Sequence, residues 1–458
     1  MKPELALTAI IFFLLFVKIG RGMKNETLLP VIQVLLTLNL LLGFWGNRSG
    51  NLFGDMYQTG ALIALQKNIL NLGILLISLV CSHWLKKTPH LAEFFMLLLS
   101  SALGMFFMLS ANNLLMFYLA MELSSIPAAA LVNFDLERKS SSEAAMKMIL
   151  SSAFSSGIFL FGISLLYGAT GTTSFSVLPQ MVTATPLTIL AFIFIFTGFA
   201  FKLSVAPFHL WTADVYQGAP VPVTAFLSVL SKGAIAFALI STLYRVFQPL
   251  NAMWFNIVMA LAVITMFTGN LFAIRQQNLK RFLAFSSIAQ AGFILFGISN
   301  MGEAGIASVL YFVLIYIFSN LAAFGVVAAI ANRTGKEDIN DYRGLYKTNP
   351  LLTWVMALAL FSLAGIPPAA GFFGKLFLIT AGAAKASYLF VTLAALNMIV
   401  SLYYYLRVVR AMFMEQNEHP IEQVKLDKME LAGLVICTAG IVLTGLFSGV
   451  YDYIVSAI

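Results

Sequence analysis

The 458-residue chain is 60% hydrophobic and 10% charged, with a net charge of +8. Soluble domains carry about 25% charged residues, so a water-soluble globular fold is excluded. The many apolar runs of membrane-crossing length predict an all-α polytopic membrane protein. Lys and Arg fall mostly between those runs and form no basic arm; this charge speaks for topology, not nucleic-acid binding.

In chain order, fourteen spans are expected: 4–17, 27–46, 62–83, 91–110, 112–133, 144–168, 187–206, 220–244, 254–274, 280–300, 304–332, 351–382, 386–410 and 430–456. They form one transmembrane bundle over 1–458. Residues 1–90 supply three N-terminal helices, 91–246 helices four to eight, 254–410 helices nine to thirteen, and 430–456 the last. The opening "MKPELALTAIIFFLLFVKIG" has no small-residue cleavage site and reads as a retained span. The connection "SANN" (110–113) is short enough to force helices four and five side by side.

Odd-numbered loops hold eighteen Lys and Arg, among them Arg21, Arg138, Arg281, Arg333 and Lys336. The opposite side holds four, Lys2, Arg48, Arg245 and Lys385. The positive-inside rule then puts the odd loops in the cytoplasm and both termini outside, on the periplasmic side of a bacterial inner membrane. Cys81 and Cys437 lie far apart in apolar segments and read as inert buried thiols.

Charges at mid-membrane are costly, so they are functional candidates by default. Glu122 lies mid-way along span five, in "LLMFYLAMELSSIPAAALV", before Pro127. Lys232 lies mid-way along span eight, in "VLSKGA". Both are too far from a span end to snorkel. Lys202 precedes Pro207 in "FKLSVAPFHLWTADVYQGAP", and Lys375 follows Gly365, Pro367 and Pro368 in "LAGIPPAAGFFGKLFL". Proline removes a backbone donor and breaks the helix, which a membrane tolerates where the break lines a wet cavity or is packed in protein. Spans seven and twelve are thus both interrupted. Interrupted helices in matching places of two halves point to a transport site. The offset of five spans makes helices 4–8 and 9–13 inverted repeats. Lys147, near the end of span six, suits an inlet funnel or snorkelling, and Lys67 suits the outer end of span three. His209 lies seven positions after Lys202.

A buried ammonium holds its proton tightly beside a carboxylate and less tightly alone. If Glu122 approaches and leaves Lys202, a proton can pass through water to Lys232 and on to Lys375. That relay needs no metal and no cofactor on this chain. Redox chemistry within it is disfavoured: His83, His90, His209 and His419 lie at span ends or in loops, and neither a P-loop nor CxxC occurs.

The quoted segments, with "QNLKRFLAFSSIAQAGF" and "SLYYYLRVV", resemble the antiporter-like membrane subunits of NADH–quinone oxidoreductase, respiratory complex I, over roughly residues 95–415. The resemblance implies a proton path through Glu122, Lys202, Lys232 and Lys375. It implies FMN, iron–sulfur clusters and quinone on partner subunits of the membrane and peripheral arms. Within the family, lysine at 375 fits one branch and not another, where glutamate is usual. An end at span fourteen, without a lateral helix, argues against a third. The family often has histidine where this chain has Gln290, and glutamine carries no proton at neutral pH, so water would bridge there. Tyr404, among the tyrosines at 403–405, is a candidate channel residue. A subunit of a multi-subunit cation/proton antiporter is the main alternative. A purely structural subunit has little reason to bear the buried charges.

Overall fold

The computed structural model describes residues 1–20, 22–45, 49–383 and 388–458. Arg21, Arg48 and Lys385 lie outside these residues. Among the described residues twelve helices are long and apolar enough to cross a membrane, and Pro350–Ala364 and Ala370–Ala383 are shorter apolar helices. The first helix, Lys2–Ile19, is 18 residues long and carries Lys2, Glu4 and Lys18. The fourteen expected spans correspond to these twelve, the first helix, and the two short helices taken as one broken span.

Several features differ from expectation. The third helix stops at Val80, and Ser82–Lys87 is a separate turn of helix. The last span is two pieces, Lys428–Leu446 and Gly449–Ser456. A small hairpin, Gly50–Leu52 with Tyr57–Thr59, interrupts the all-helical pattern; Phe53, Gly54 and Asp55 at its tip all have positive φ.

Basic loops gather at one face. There Lys18 pairs with Glu93 at 2.5 Å, Lys86 with Asp427 at 3.1 Å, Arg333 with Glu430 at 2.7 Å and Arg343 with Glu415 at 2.9 Å. At the opposite face Lys2 bonds the carbonyl of Trp45, and Arg245 bonds Asn112. The core between is closely packed. A Cβ on Gly104 would fall 2.4 Å from the backbone of Ser124, and one on Gly269 2.4 Å from that of Ala289. These close crossings are the way small residues let membrane helices approach.

Both expected breaks are present. Pro186–Leu203 ends at Ser204 in a left-handed conformation, and a short helix, Leu210–Gly218, follows. Pro350–Ala364 ends at Gly365 (φ 86°), and the helix resumes at Ala370. A third irregularity escapes the proline rule: span eight opens as Val221–Phe226, widens into a π-helical turn at Leu227–Ser231, and continues from Lys232 to Arg245.

Candidate functional site

Polar contacts inside the bundle hold the four central charges in two groups, Glu122 with Lys202 and Lys232 with Lys375. Glu122, on Leu114–Val132, is half-buried; its Oε1 accepts from Ser156 Oγ at 2.5 Å. Ser156 shares the helix Lys139–Thr170 with Ser152, which accepts from Lys202 Nζ at 2.7 Å. Ser125, one turn beyond Glu122, accepts from the same ammonium at 2.6 Å. Serines therefore hold the carboxylate and the ammonium apart, and the two form no ion pair. Ser155 Oγ, buried on the same helix, has no partner among the described residues.

His209 lies past the break, buried, and its Nδ1 has no hydrogen-bond partner among the described residues. It is within electrostatic reach of Lys232. Lys232 emerges directly after the π-helical turn, where an extra residue re-aims the side chain, as such turns often do at functional sites. Its Nζ donates to Ser287 Oγ at 2.8 Å and lies 5.6 Å from the ring centroid of Tyr216. The Tyr216 hydroxyl has no partner among the described residues. Close by, Ser228 lies between Tyr316 Oη at 3.3 Å and Asn320 Nδ2 at 3.2 Å.

The twelfth span shows why its prolines are where they are. In a continuous helix the carbonyls of Leu363 and Ala364 would accept from residues 367 and 368. Both are prolines and donate nothing. Lys375 Nζ takes the freed carbonyls instead, at 2.7 and 3.2 Å. Gln290 Nε2 donates to the same Leu363 carbonyl at 3.1 Å and to Tyr405 Oη at 3.1 Å, and Tyr405 meets Ser286 at 2.5 Å. Gln290 thus joins Lys375 to the helix that carries Ser287, the partner of Lys232. Gly365 fits this place twice over: its φ is positive, and a Cβ there would lie 3.2 Å from Lys375 Cδ.

Two sequence candidates fall elsewhere. Lys147 is exposed and bonds Glu143 at 2.7 Å and Asp214 at 2.8 Å. It lines a vestibule of about 400 Å³ on the basic face, with Arg138, Lys280 and Glu337. Partial burial pushes the Asp214 carboxyl up, but the bonds from Lys147 and Arg281 outweigh it and hold it below the usual carboxylate range. Tyr404 bonds Asn270 at 2.9 Å, away from Lys375; its neighbour Tyr405 makes the Gln290 contact. Sequence reasoning also passed over Ser125, Ser152, Ser156 and Ser287. Their only sequence signal is that they recur on helices carrying or facing the buried charges.

The model of the NADH:quinone oxidoreductase/Mrp antiporter transmembrane family matches residues 111–401, which include all four central charges. A curated relative from Phocaeicola vulgatus, NADH-quinone oxidoreductase subunit N, is 49% identical over 99% of this chain and 97% of its own. The chain belongs to the subunit N branch of this family. A chain of respiratory complex I from Thermus thermophilus with bound aureothin is 30% identical, with a TM-score of 0.83 over 98% of both chains. A chain of the Mrp complex from Dietzia has a TM-score of 0.87 at 20% identity, covering 99% of this chain and 96% of its own; that likeness is one of fold. Branch membership accords with the lysine at 375.

Proposed function

We propose that this chain is a proton-translocating, antiporter-like subunit N in the membrane arm of an NADH–quinone oxidoreductase, and so part of a translocase with no redox centre of its own. Its partners are the other membrane-arm subunits and a peripheral arm that carries FMN, iron–sulfur clusters and quinone chemistry. It spans a bacterial inner membrane many times, with the basic face in the cytoplasm and both termini outside. Helices 4–8 and 9–13 are inverted repeats, each with one broken helix.

The observation that carries this reading is the environment of the three central lysines. Lys202, Lys232 and Lys375 are buried, and among the described residues none forms an ion pair. An ammonium held only by hydroxyls and carbonyls is poised: a charge arriving nearby decides whether it keeps its proton. A rearrangement in a neighbouring subunit reaches Glu122. The carboxylate leaves Ser156 for Lys202 and stabilises the ammonium; its return releases the proton from Nζ. Water and His209 pass the proton to Lys232, and Ser287 with the Gln290 region passes it to Lys375. Gln290 binds no proton; its amide positions the Leu363 carbonyl and Tyr405 across the link. The basic vestibule around Lys147 is the cytoplasmic inlet.

Gentle purification of the native membrane complex, with mass spectrometry of what accompanies this chain, tests the reading. Flavin and iron–sulfur subunits are expected. Small hydrophobic subunits alone would favour the cation/proton antiporter, which shares the fold. Glu122→Ala in the assembled complex should sharply lower NADH-driven proton pumping; normal pumping would remove Glu122 from the relay.

A further inference from the structure

Seven of the fourteen buried side-chain atoms that lack a hydrogen-bond partner among the described residues fall within the first 83 residues. They are not scattered. Asn39 on Asn25–Leu42 donates to Asn71 on Ala61–Val80 at 2.9 Å, which leaves Asn39 Oδ1 and Asn71 Nδ2 unmatched. Asn68 Oδ1 is unmatched beside them. One turn towards the outer face, Lys67 is bonded to Glu4, to Ser110 at 2.5 Å and to Tyr57 at 3.2 Å. Glu4 Oε2 has no hydrogen bond; the N-terminal ammonium lies 3.8 Å away. Lys67 also lines a cavity of about 600 Å³ that opens at that face.

Towards the basic face, Gln33 Nε2 donates to the Ser78 carbonyl at 3.0 Å, and its Oε1 is unmatched. Ser82 Oγ and His83 Nε2 continue the series. His83 lies with Asp427 and Glu430. Those carboxylates already bond Lys86 and Arg333, so the group is the mouth of a polar column, not a vacant metal site. Between the two polar stretches lie Leu36 and Ile74, both buried. Helix geometry puts them on the same faces as Gln33, Asn39, Asn71 and Ser78, and about 9 Å separates Gln33 from Asn39 along their helix.

Buried polar atoms without protein partners bind water, and each here is more than nine-tenths buried except those of His83. A short apolar constriction gates by dewetting. We propose that the N-terminal helices hold a second hydrated path for protons, separate from the Lys202–Lys375 line. Two water-holding half-columns meet at Leu36 and Ile74, and the Glu4–Lys67 pair lies at the outer mouth. Among the described residues the side-chain partners of Lys67, Asn71 and Gln33 are Glu4, Tyr57, Ser110, Asn39 and the Ser78 carbonyl, none of which bonds Lys202, Lys232 or Lys375. The proposal stands independently of the relay.

The test uses the assembled complex in vesicles. Leu36→Ser with Ile74→Ser should raise passive proton leak several-fold while NADH oxidation by the complex is retained. Adding Asn39→Leu and Asn71→Leu should return the leak to the parent level. A serine variant that assembles and does not leak overturns the proposal. Should the variants fail to assemble, a water-resolving map of the unaltered complex decides. Density bonded to Asn68 Oδ1, Gln33 Oε1 and Ser82 Oγ supports the path, and bare atoms overturn it.

Discussion

Buried and half-buried cations occur in two settings in this molecule. At its edges Lys67 bonds Glu4, Lys280 meets Glu337 at 3.0 Å, and Arg333 grips Glu430 with two nitrogens. Along its centre the hydrogen bonds of Lys202, Lys232 and Lys375 among the described residues go only to serines and freed carbonyls. Paired charges fix a geometry, because breaking a buried pair strands its partner. Unpaired ones leave the protonation state open to influence. The difference teaches that burial alone does not set the central lysines apart; the missing counter-ion does, and the proposed relay rests on it.

The comparison can be broken at several points. Arg333→Ala strands the buried Glu430 carboxylate and should cost about 3–5 kcal/mol, read as a lower unfolding temperature of the purified complex, with pumping per intact complex retained. Gly365→Ala forces an L-residue into a left-handed conformation, at about 1–2 kcal/mol. It also crowds the Lys375 stem, so stability and pumping should fall together. Tyr405→Phe should slow pumping several-fold by removing the Gln290 contact, whereas Tyr404→Phe should leave the pumping rate unchanged; equal effects would dissolve the assignment. The smallest effect belongs to Asp214. Its carboxyl is held below the usual range, so its contribution to stability is complete above the unfolded value of about 3.9. It is lost as pH falls through the folded one. Asp214→Asn should therefore flatten the acid limb of a stability profile, with a small loss of stability at pH 7 that vanishes at the acid end.

The central charges and both helix breaks could be read from the sequence, because mid-membrane charges and tandem prolines are rare and each has a physical cost. What held the charges could not. Serine is ordinary in membrane helices, and Ser152 meets Lys202 across 50 residues and Ser287 meets Lys232 across 55. Lys67 read as the mark of a span end because its partner, Glu4, lies 63 residues earlier. Tyr404 and Tyr405 differ by about 100° around their helix, and only the neighbouring helices decide which one faces Gln290. The π-helical turn before Lys232 has no proline or glycine to announce it.

The most direct measurement is NADH-driven proton pumping by the assembled complex carrying Lys232→Met, with its unfolding temperature taken on the same preparation. Lys232 has no counter-ion to strand, so the account predicts abolished pumping at undiminished stability. Full pumping, or a loss of stability like that of Arg333→Ala, would contradict it.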